Sequence, residues 1–267
     1  MKKSQGTRIG LSLAFMMFLA GCSMAGQSQQ SQVSSAIRSK LGEIDIQEEK
    51  TAEPIDGQET ESMKAASLLY QGQASIRIIT AEGKVIYIDP YAGEGYDLSA
   101  DLILVTHGHF DHCAVDKVSQ RNDGCQVITH KEAIQNGEHK VFELGYVTVE
   151  AVEAGYNPLH DVSQCVGYIL TFSDGKSVYV TGDTSTTEQM PLLAEKQIDY
   201  AFFCCDGVYN MGLEEAAECA GMVGAKYNVP YHMTTTTTGR QFDRGLAEQF
   251  YAESRLIIED GEEIIIE

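Results

Sequence analysis

A short polar segment that follows an apolar run constrains this chain more than any other feature. The run lies within Asp101–Thr106 and is typical of a buried strand that delivers the next residues to one edge of a sheet. Three imidazoles and one carboxylate then follow in close succession, at His107, His109, Asp111 and His112. Imidazole and carboxylate together suit Zn, Mn or Fe. Because four such groups on one loop cannot comfortably wrap a single ion, the pattern favours two metal ions that share the loop.

This segment resembles the metal-binding motif of the metallo-β-lactamase fold superfamily. Three further residues of that family's pattern follow in order: His160, Asp183 in a Gly-Asp-Thr turn after a predicted strand, and His232 after a later predicted strand. The resemblance covers Ala74–His232, which is most of the predicted domain. It implies an α/β fold, a four-layer αββα sandwich of the metallo-β-lactamase type, and a metal-dependent hydrolase.

The resemblance also implies how the ligands divide between two divalent metal ions. One ion takes His107, His109 and His160, and the other takes Asp111, His112 and His232. Asp183 bridges both ions, and a hydroxide between them attacks the substrate, so that no protein nucleophile is needed. Asp111 is assigned as a catalytic residue as well as a ligand. Zn²⁺ is the favoured metal, with Mn²⁺ or Fe as alternatives.

Several positions refine or depart from this pattern. The segments Asp89–Tyr91 and Asp206–Met211 are similar to the subgroup of ascorbate-phosphate lactonases and of the phospholipase D that hydrolyses N-acyl-phosphatidylethanolamine. Asp183 stands where the best-known β-lactamases carry Cys, which argues against β-lactamase activity. Gln73 replaces a His that related lactonase-like proteins often carry, and Gly108 replaces an Asp of the same subgroup.

The composition is strongly acidic, and this excludes one class of partner. Lys and Arg number 19 against 39 Asp and Glu, which gives a formal charge of −20. Such a surface repels a phosphate backbone, so we expect no nucleic-acid partner. Two divalent ions would locally offset the ligand carboxylates, so we expect a small neutral or singly anionic substrate.

The N-terminus has the pattern of an exported lipoprotein. Residues 1–21 combine basic residues with an apolar run that is too short to span a bilayer, as in a signal peptide. Leu19–Cys22 resembles the bacterial lipobox, which implies lipidation of Cys22 and a lipid-anchored position on the extracytoplasmic face of a bacterial membrane. A plain secretory signal is the alternative. Residues 22–66 are predicted to be a flexible tether, and residues 67–267 the metallo-hydrolase domain.

Three functions fit these observations. Hydrolysis of a small ester, lactone, amide or phosphodiester is favoured. The second is an iron-dependent redox enzyme on the same scaffold. His109 argues against it, because related diiron oxidases usually carry Glu at this position. The third is a metal-dependent solute-binding lipoprotein without turnover.

The predicted elements begin with strands and alternate between strands and helices later, which is typical of an α/β fold. Ala74–Thr80 and Val85–Ile88 are predicted to form a hairpin. Near the C-terminus, the pattern predicts a helix over Phe242–Glu253 and a closing hairpin of Leu256–Ile258 with Ile264–Ile266.

Overall fold

Strands make up most of the regular structure. The computed structural model describes residues 65–236, 238 and 240–267, so the predicted signal peptide, Cys22 and nearly all of the predicted tether lie outside the described residues. In chain order the elements are β1 (Ser67–Gly72), β2 (Ser75–Ile79), β3 (Val85–Ile88), β4 (Ala100–Val105), β5 (Arg121–Thr129), α1 (His130–Ala133), β6 (Ile134–Gln135), β7 (Glu138–His139), β8 (Val141–Glu143), β9 (Val147–Glu153), β10 (Val166–Phe172), β11 (Ser177–Val180), β12 (Tyr200–Cys204), α2 (Leu213–Val223), β13 (Tyr227–Tyr231), α3 (Arg244–Ala247) and β14 (Glu262–Ile265). Two 3₁₀ segments, Val115–Lys117 and Met190–Lys196, add to the helices.

Two six-stranded sheets carry the fold. The first has the order β14-β1-β2-β3-β4-β5 and the second the order β13-β12-β11-β10-β9-β8. Within the first sheet, β3, β4 and β5 run parallel, and within the second sheet β11, β12 and β13 run parallel. In each sheet, the carboxyl ends of three neighbouring strands therefore lie on the same side.

The core lies between the two sheets. Leu102 and Leu104 of β4 belong to the same buried cluster as Tyr168 and Leu170 of β10. The alternate residues of β4 face the other way, where Ile103 packs in a second cluster with neighbours of β3 and the Val115–Lys117 segment. Because β4 is apolar on both faces, it is buried throughout, as its sequence predicts.

Short helices cover the sheets. Helix α2 packs against the Met190–Lys196 segment and against β12 of the second sheet, and α1 lies against β5 of the first. These helices flank the two sheets as in an α/β sandwich, which confirms the predicted fold class. Among the described residues, no helix is long and apolar enough to cross a membrane.

The predicted helix over Phe242–Glu253 is wrong for most of its length, because only Arg244–Ala247 is helical. The guanidinium of Arg255 donates to the carbonyls of Glu248 at 2.6 Å and Phe250 at 3.2 Å, which a longer helix would use internally. The ring of Phe250 is fully buried in the core. Tertiary packing therefore overrides the local helical pattern.

The predicted closing hairpin is also wrong. β14 pairs antiparallel with β1, with Ser67 opposite Ile265, and Leu256–Ile258 is not a strand. The sequence pattern had not indicated β1, which the structure places between β14 and β2. Pairing between residues nearly 200 positions apart in sequence depends on the complete sheet, which a local pattern does not contain.

Candidate metal centre

The ends of parallel strands bring the predicted ligands together. Asp89 follows β3 and His107 comes two residues after β4 in the first sheet. Asp183 follows β11 after a short turn, and His232 follows β13 directly in the second sheet. Since parallel strands present their carboxyl ends at one edge, these residues meet there, which is where α/β folds place their ligand sites. His160 joins them from the loop between β9 and β10.

Asp183 lies between two sets of histidines. Its Oδ2 is 3.3 Å from Nε2 of His160 and 3.9 Å from Nε2 of His107. Its Oδ1 is 3.3 Å from Nε2 of His112 and 3.4 Å from Nε2 of His232. Each carboxylate oxygen therefore faces one set, an arrangement suited to a carboxylate that bridges two ions.

Three groups of potential ligand atoms are found among the described residues, and the atoms of each group lie within 4.8 Å of one another. Two groups have the same members as the sets expected from the sequence, and the third joins the two through Asp183. The groups are His107, His109 and His160; Asp111, His112 and His232; and His107, His112 and Asp183. The structure thus brings together all seven residues predicted as ligands.

The donor atoms fit a metal ion on physical grounds as well. Nε2 of His107, Nε2 of His112 and Oδ1 of Asp183 are buried and make no hydrogen bond to any residue that the structure describes. A buried polar atom without a partner costs free energy, and native structures rarely tolerate one without a reason. Divalent metal ions would satisfy all three atoms, and a mixed set of imidazole nitrogens and carboxylate oxygens suits Zn, Mn or Fe.

Buried partners orient the ligand imidazoles. Nδ1 of His112 lies 2.8 Å from Oδ2 of Asp89, whose carboxylate also accepts hydrogen bonds from the N–H and the hydroxyl of Thr106, both at 2.7 Å. Nδ1 of His160 lies 3.0 Å from Oδ1 of Asn157. Such partners hold the opposite ring nitrogen towards the site. The sequence did not determine whether Asp89 orients a ligand, and it did not identify Asn157 as a functional residue. The position of Asn157 three residues before His160 was the sequence feature that could have indicated its role.

The charges of the site are unevenly distributed. Burial, together with the neighbouring His112 imidazole, holds the pKa of His107 well below its ordinary value. Burial also lowers the pKa of His112, but the carboxylates of Asp183 and Asp89 outweigh it and bring that pKa well above its ordinary value. Burial raises the pKa of Asp183, but His112 and His232 outweigh it and hold that pKa well below the usual range. Without metal, the surroundings therefore favour a neutral His107, a protonated His112 and an ionised Asp183.

Gln73 also lies in the centre. It is 3% exposed, and its Nε2 is 2.9 Å from Oδ2 of Asp111 and 2.8 Å from Nε2 of His232. The backbone N–H of His232 donates to the carbonyl of Gln73 at 2.9 Å. The residue identified from the sequence as a departure from the related pattern therefore contacts two of the predicted ligands.

A cavity of about 470 Å³ opens above the predicted ligands. Its rim carries three exposed apolar or aromatic side chains: Phe110 is 65% exposed, Leu159 54% and Tyr209 48%. Three threonines that follow His232 in sequence, Thr234, Thr235 and Thr236, also line it, and none of the described lining residues is Lys or Arg. The lining residues are Gln73, His109, Phe110, Asp111, Leu159, His160, Asp183, Tyr209, His232, Thr234, Thr235 and Thr236.

Other chemically suggestive residues lie elsewhere. His130 begins α1 and does not line the cavity, and His139 lines a separate cavity with Glu153. The six cysteines of the described residues are unpaired. Cys22, the predicted lipidation site, lies outside the described residues.

Comparison with known proteins agrees with this fold. Residues 67–232 match the β-lactamase superfamily domain. A UPF0173 metal-dependent hydrolase of Geobacillus thermodenitrificans is 32% identical over 194 residues, which cover 62% of this chain and 84% of the relative. The crystal structure of a Parabacteroides distasonis protein assigned as a metal-dependent hydrolase has a TM-score of 0.58 at 27% identity, covering 72% of this chain and 92% of that one. Igni18, a metallo hydrolase from Ignicoccus hospitalis, has a TM-score of 0.60 at 21% identity, covering 76% and 99%, and shows the shared fold. The chain therefore belongs to the β-lactamase superfamily, within its family of UPF0173 metal-dependent hydrolases.

Proposed function

We propose that this chain hydrolyses a small neutral or singly anionic ester, lactone, amide or phosphodiester at a centre of two divalent metal ions. The observation that carries the proposal is the carboxylate of Asp183, whose oxygens face separate histidine sets at the base of an open cavity. Membership of a family of metal-dependent hydrolases supports the class of reaction. Zn²⁺ is the metal we favour, with Mn²⁺ or Fe as alternatives.

In this proposal the protein holds and orients the metal ions. His107, His109 and His160 would hold one ion, and Asp111, His112 and His232 would hold the other, with the carboxylate of Asp183 between the two sets. When bound, the ions supply Lewis acidity, which lowers the pKa of water to give a hydroxide nucleophile and stabilises negative charge that develops on the substrate. Asp89 and Asn157 fix the rings of His112 and His160, so that the ligand nitrogens are already in place before an ion arrives.

The rim of the cavity favours substrates with an apolar group beside the bond that is cleaved. Phe110, Leu159 and Tyr209 come from three different loops, and each exposes about half or more of its surface at the mouth. Exposed apolar groups that converge on a cavity commonly mark a ligand-binding surface. Because none of the described lining residues is a fixed cation, an acyl ester, lactone or amide suits the mouth better than a phosphodiester.

We further propose that the chain is anchored to a membrane through lipidated Cys22 and belongs beside the lactonase and phospholipase D subgroup. The lipobox-like Leu19–Cys22 supports the anchor. The subgroup is supported by Asp89, which orients His112, and by Tyr209, which lines the cavity. A tether would keep the cavity close to the membrane, within reach of lipid-derived esters and amides.

A substrate panel tests the proposed function. The full chain loaded with Zn²⁺ is assayed on small esters, lactones, amides and phosphodiesters, and on long RNA. We expect hydrolysis of at least one small substrate, abolished by a chelator and by His109→Ala. The variant His130→Ala is the matched control, since His130 does not line the cavity.

Three results would overturn the proposal. Cleavage of long RNA that greatly exceeds cleavage of every small substrate would indicate a nuclease. Iron content with oxygen consumption would indicate the redox alternative. Binding of members of the panel without any turnover would indicate a solute-binding protein.

A further inference from the structure

The side chain of Gln73 has a fixed orientation inside the metal centre. Its Oε1 accepts a hydrogen bond from the backbone N–H of Ala74 at 2.6 Å. This contact determines which end of the amide faces the site, so the NH₂ group points at Asp111 and His232. The residue is almost completely buried, so little of its surface is open to solvent.

The contact with His232 uses the atom that would bind metal. Because the NH₂ group of Gln73 can only donate, Nε2 of His232 must accept, and this places the ring proton on Nδ1, which lies 3.7 Å from Oδ2 of Asp206. Nε2 of His232 then carries one lone pair and accepts from Nε2 of Gln73 at 2.8 Å. A single lone pair can accept this hydrogen bond or bind a metal ion, but it cannot do both.

The other set of ligands has no such competitor. Nε2 of His107 makes no hydrogen bond within the described part of the chain, and Nδ1 of His109 faces Nε2 of His160 at 3.2 Å, which is a contact between two ligands. No amide group of the described residues forms a hydrogen bond with these three ligand nitrogens. A metal ion can therefore enter this set without breaking a hydrogen bond to a residue outside it.

We propose that Gln73 makes the two metal positions unequal. The position at His107, His109 and His160 fills first, and the position at Asp111, His112 and His232 fills only when the Gln73 amide releases His232. Gln73 is thus a positioning residue that sets the affinity for the second divalent ion. This inference rests on the metal centre of the proposed function, but it concerns the order of filling and not the reaction.

Calorimetric titration tests the inference on the full chain after its metal has been removed with a chelator. Zn²⁺ is titrated into the unchanged chain and into Gln73→Leu, which keeps similar volume but has no amide. We expect two unequal binding steps in the unchanged chain. In Gln73→Leu the second step should become about fivefold to tenfold tighter, the worth of one hydrogen bond, and the first step should not change.

Gln71→Leu is the matched control. Gln71 is also a buried glutamine of the same segment, but its Nε2 donates to the carbonyl of Glu94 at 2.8 Å and the residue does not line the cavity. Its variant should leave both steps unchanged. If Gln73→Leu fails to fold by circular dichroism, Gln73→Asn replaces it, because the shorter amide cannot reach His232 and should also tighten the second step.

The outcomes separate this inference from the proposed function. Equal affinity of the two steps in the unchanged chain, or a second step that is unchanged or weaker in the folded Gln73 variant, would overturn the role of Gln73 while hydrolysis persists. A chain that binds no Zn²⁺ would overturn the metal centre itself. Unequal steps that become more equal only in the Gln73 variant support the inference, whatever the substrate is.

Discussion

Oδ2 of Asp89 lies 2.8 Å from Nδ1 of His112, and both side chains are completely buried. The contact turns Nε2 of His112 towards Asp183, 3.3 Å away. Asp89 is held in turn by hydrogen bonds from the backbone N–H and the hydroxyl of Thr106, which directly precedes the segment His107–His112. Thr106 therefore helps to fix the imidazole of His112 through Asp89. The imidazole is therefore oriented before any ion binds.

Replacing Asp89 by Asn should weaken metal binding about tenfold to hundredfold. Both carboxylate oxygens of Asp89 accept hydrogen bonds, whereas an asparagine has only one oxygen that accepts and an NH₂ group that donates. The amide therefore cannot keep the contacts to both Thr106 and His112, and the imidazole of His112 loses its fixed orientation. Zn²⁺ titration measures the effect. Asp101→Asn is the control, since Asp101 is a buried carboxylate that accepts from Val85 away from the site. Equal losses in the two variants would contradict a specific role for Asp89.

Replacing Asp183 by Ala should remove at least one metal ion while the protein still folds. The change deletes both oxygens that face the two histidine sets. The rate of hydrolysis should fall by more than about a hundredfold, which exceeds the loss expected when a residue that only orients a metal ligand is replaced. Elemental analysis measures the loss of metal, and circular dichroism checks that the variant still folds. Asp161→Ala, which alters an exposed carboxylate next to His160 in sequence, should keep its metal.

Metal binding should release a proton near neutral pH. Burial lowers the pKa of His112, but Asp183 and Asp89 outweigh it, so the pKa lies above the ordinary value of about 6.5. His112 must lose this proton to bind metal, whereas His107, with its lowered pKa, has none to lose. Affinity for Zn²⁺ should therefore still be increasing as the pH rises above about 6.5, because the raised pKa of His112 keeps the competing proton bound there. Titration in two buffers of different ionisation enthalpy measures the release, and identical heats would contradict it.

Polar substitutions at the rim should shift substrate preference. Phe110→Ser and Leu159→Ser remove apolar surface from the mouth of the cavity. Each should lower kcat/KM about tenfold for a hexanoyl ester and leave an acetyl ester nearly unchanged, because only the longer chain reaches the rim. Leu192→Ser, at an exposed leucine outside the cavity, is the control. Equal losses on both esters would show that the rim does not bind the acyl chain.

Cys22→Ala should prevent lipidation and release the protein from membranes or leave it unprocessed. Labelling with a radioactive fatty acid and membrane fractionation measure this directly. Cys125→Ala, which removes a cysteine of β5, should stay with the membrane fraction. If Cys22→Ala fractionates with membranes as before, the lipobox interpretation is wrong.

The residue types of the candidate centre were recognisable from the sequence because local order encodes them. The segment His107–His112 comes after an apolar strand, and Asp183 and His232 each come after another strand. A strand with apolar residues on both faces is buried wherever it occurs, so the residues that come directly after it are delivered to a sheet edge. The order of these segments resembles the metallo-β-lactamase pattern, and this resemblance was enough to indicate the fold and the class of chemistry.

Only the tertiary structure decided how these groups work together. It directs each oxygen of Asp183 to a different histidine set, pairs Asp89 with His112, and inserts the Gln73 amide beside His232. It also pairs β14 with β1 and ends the last helix early. These contacts join residues that lie from 23 positions apart, for Asp89 and His112, to nearly 200 positions apart, for Ser67 and Ile265. Local sequence specifies propensity and periodicity, but the geometry of distant side chains is fixed only when both sheets pack.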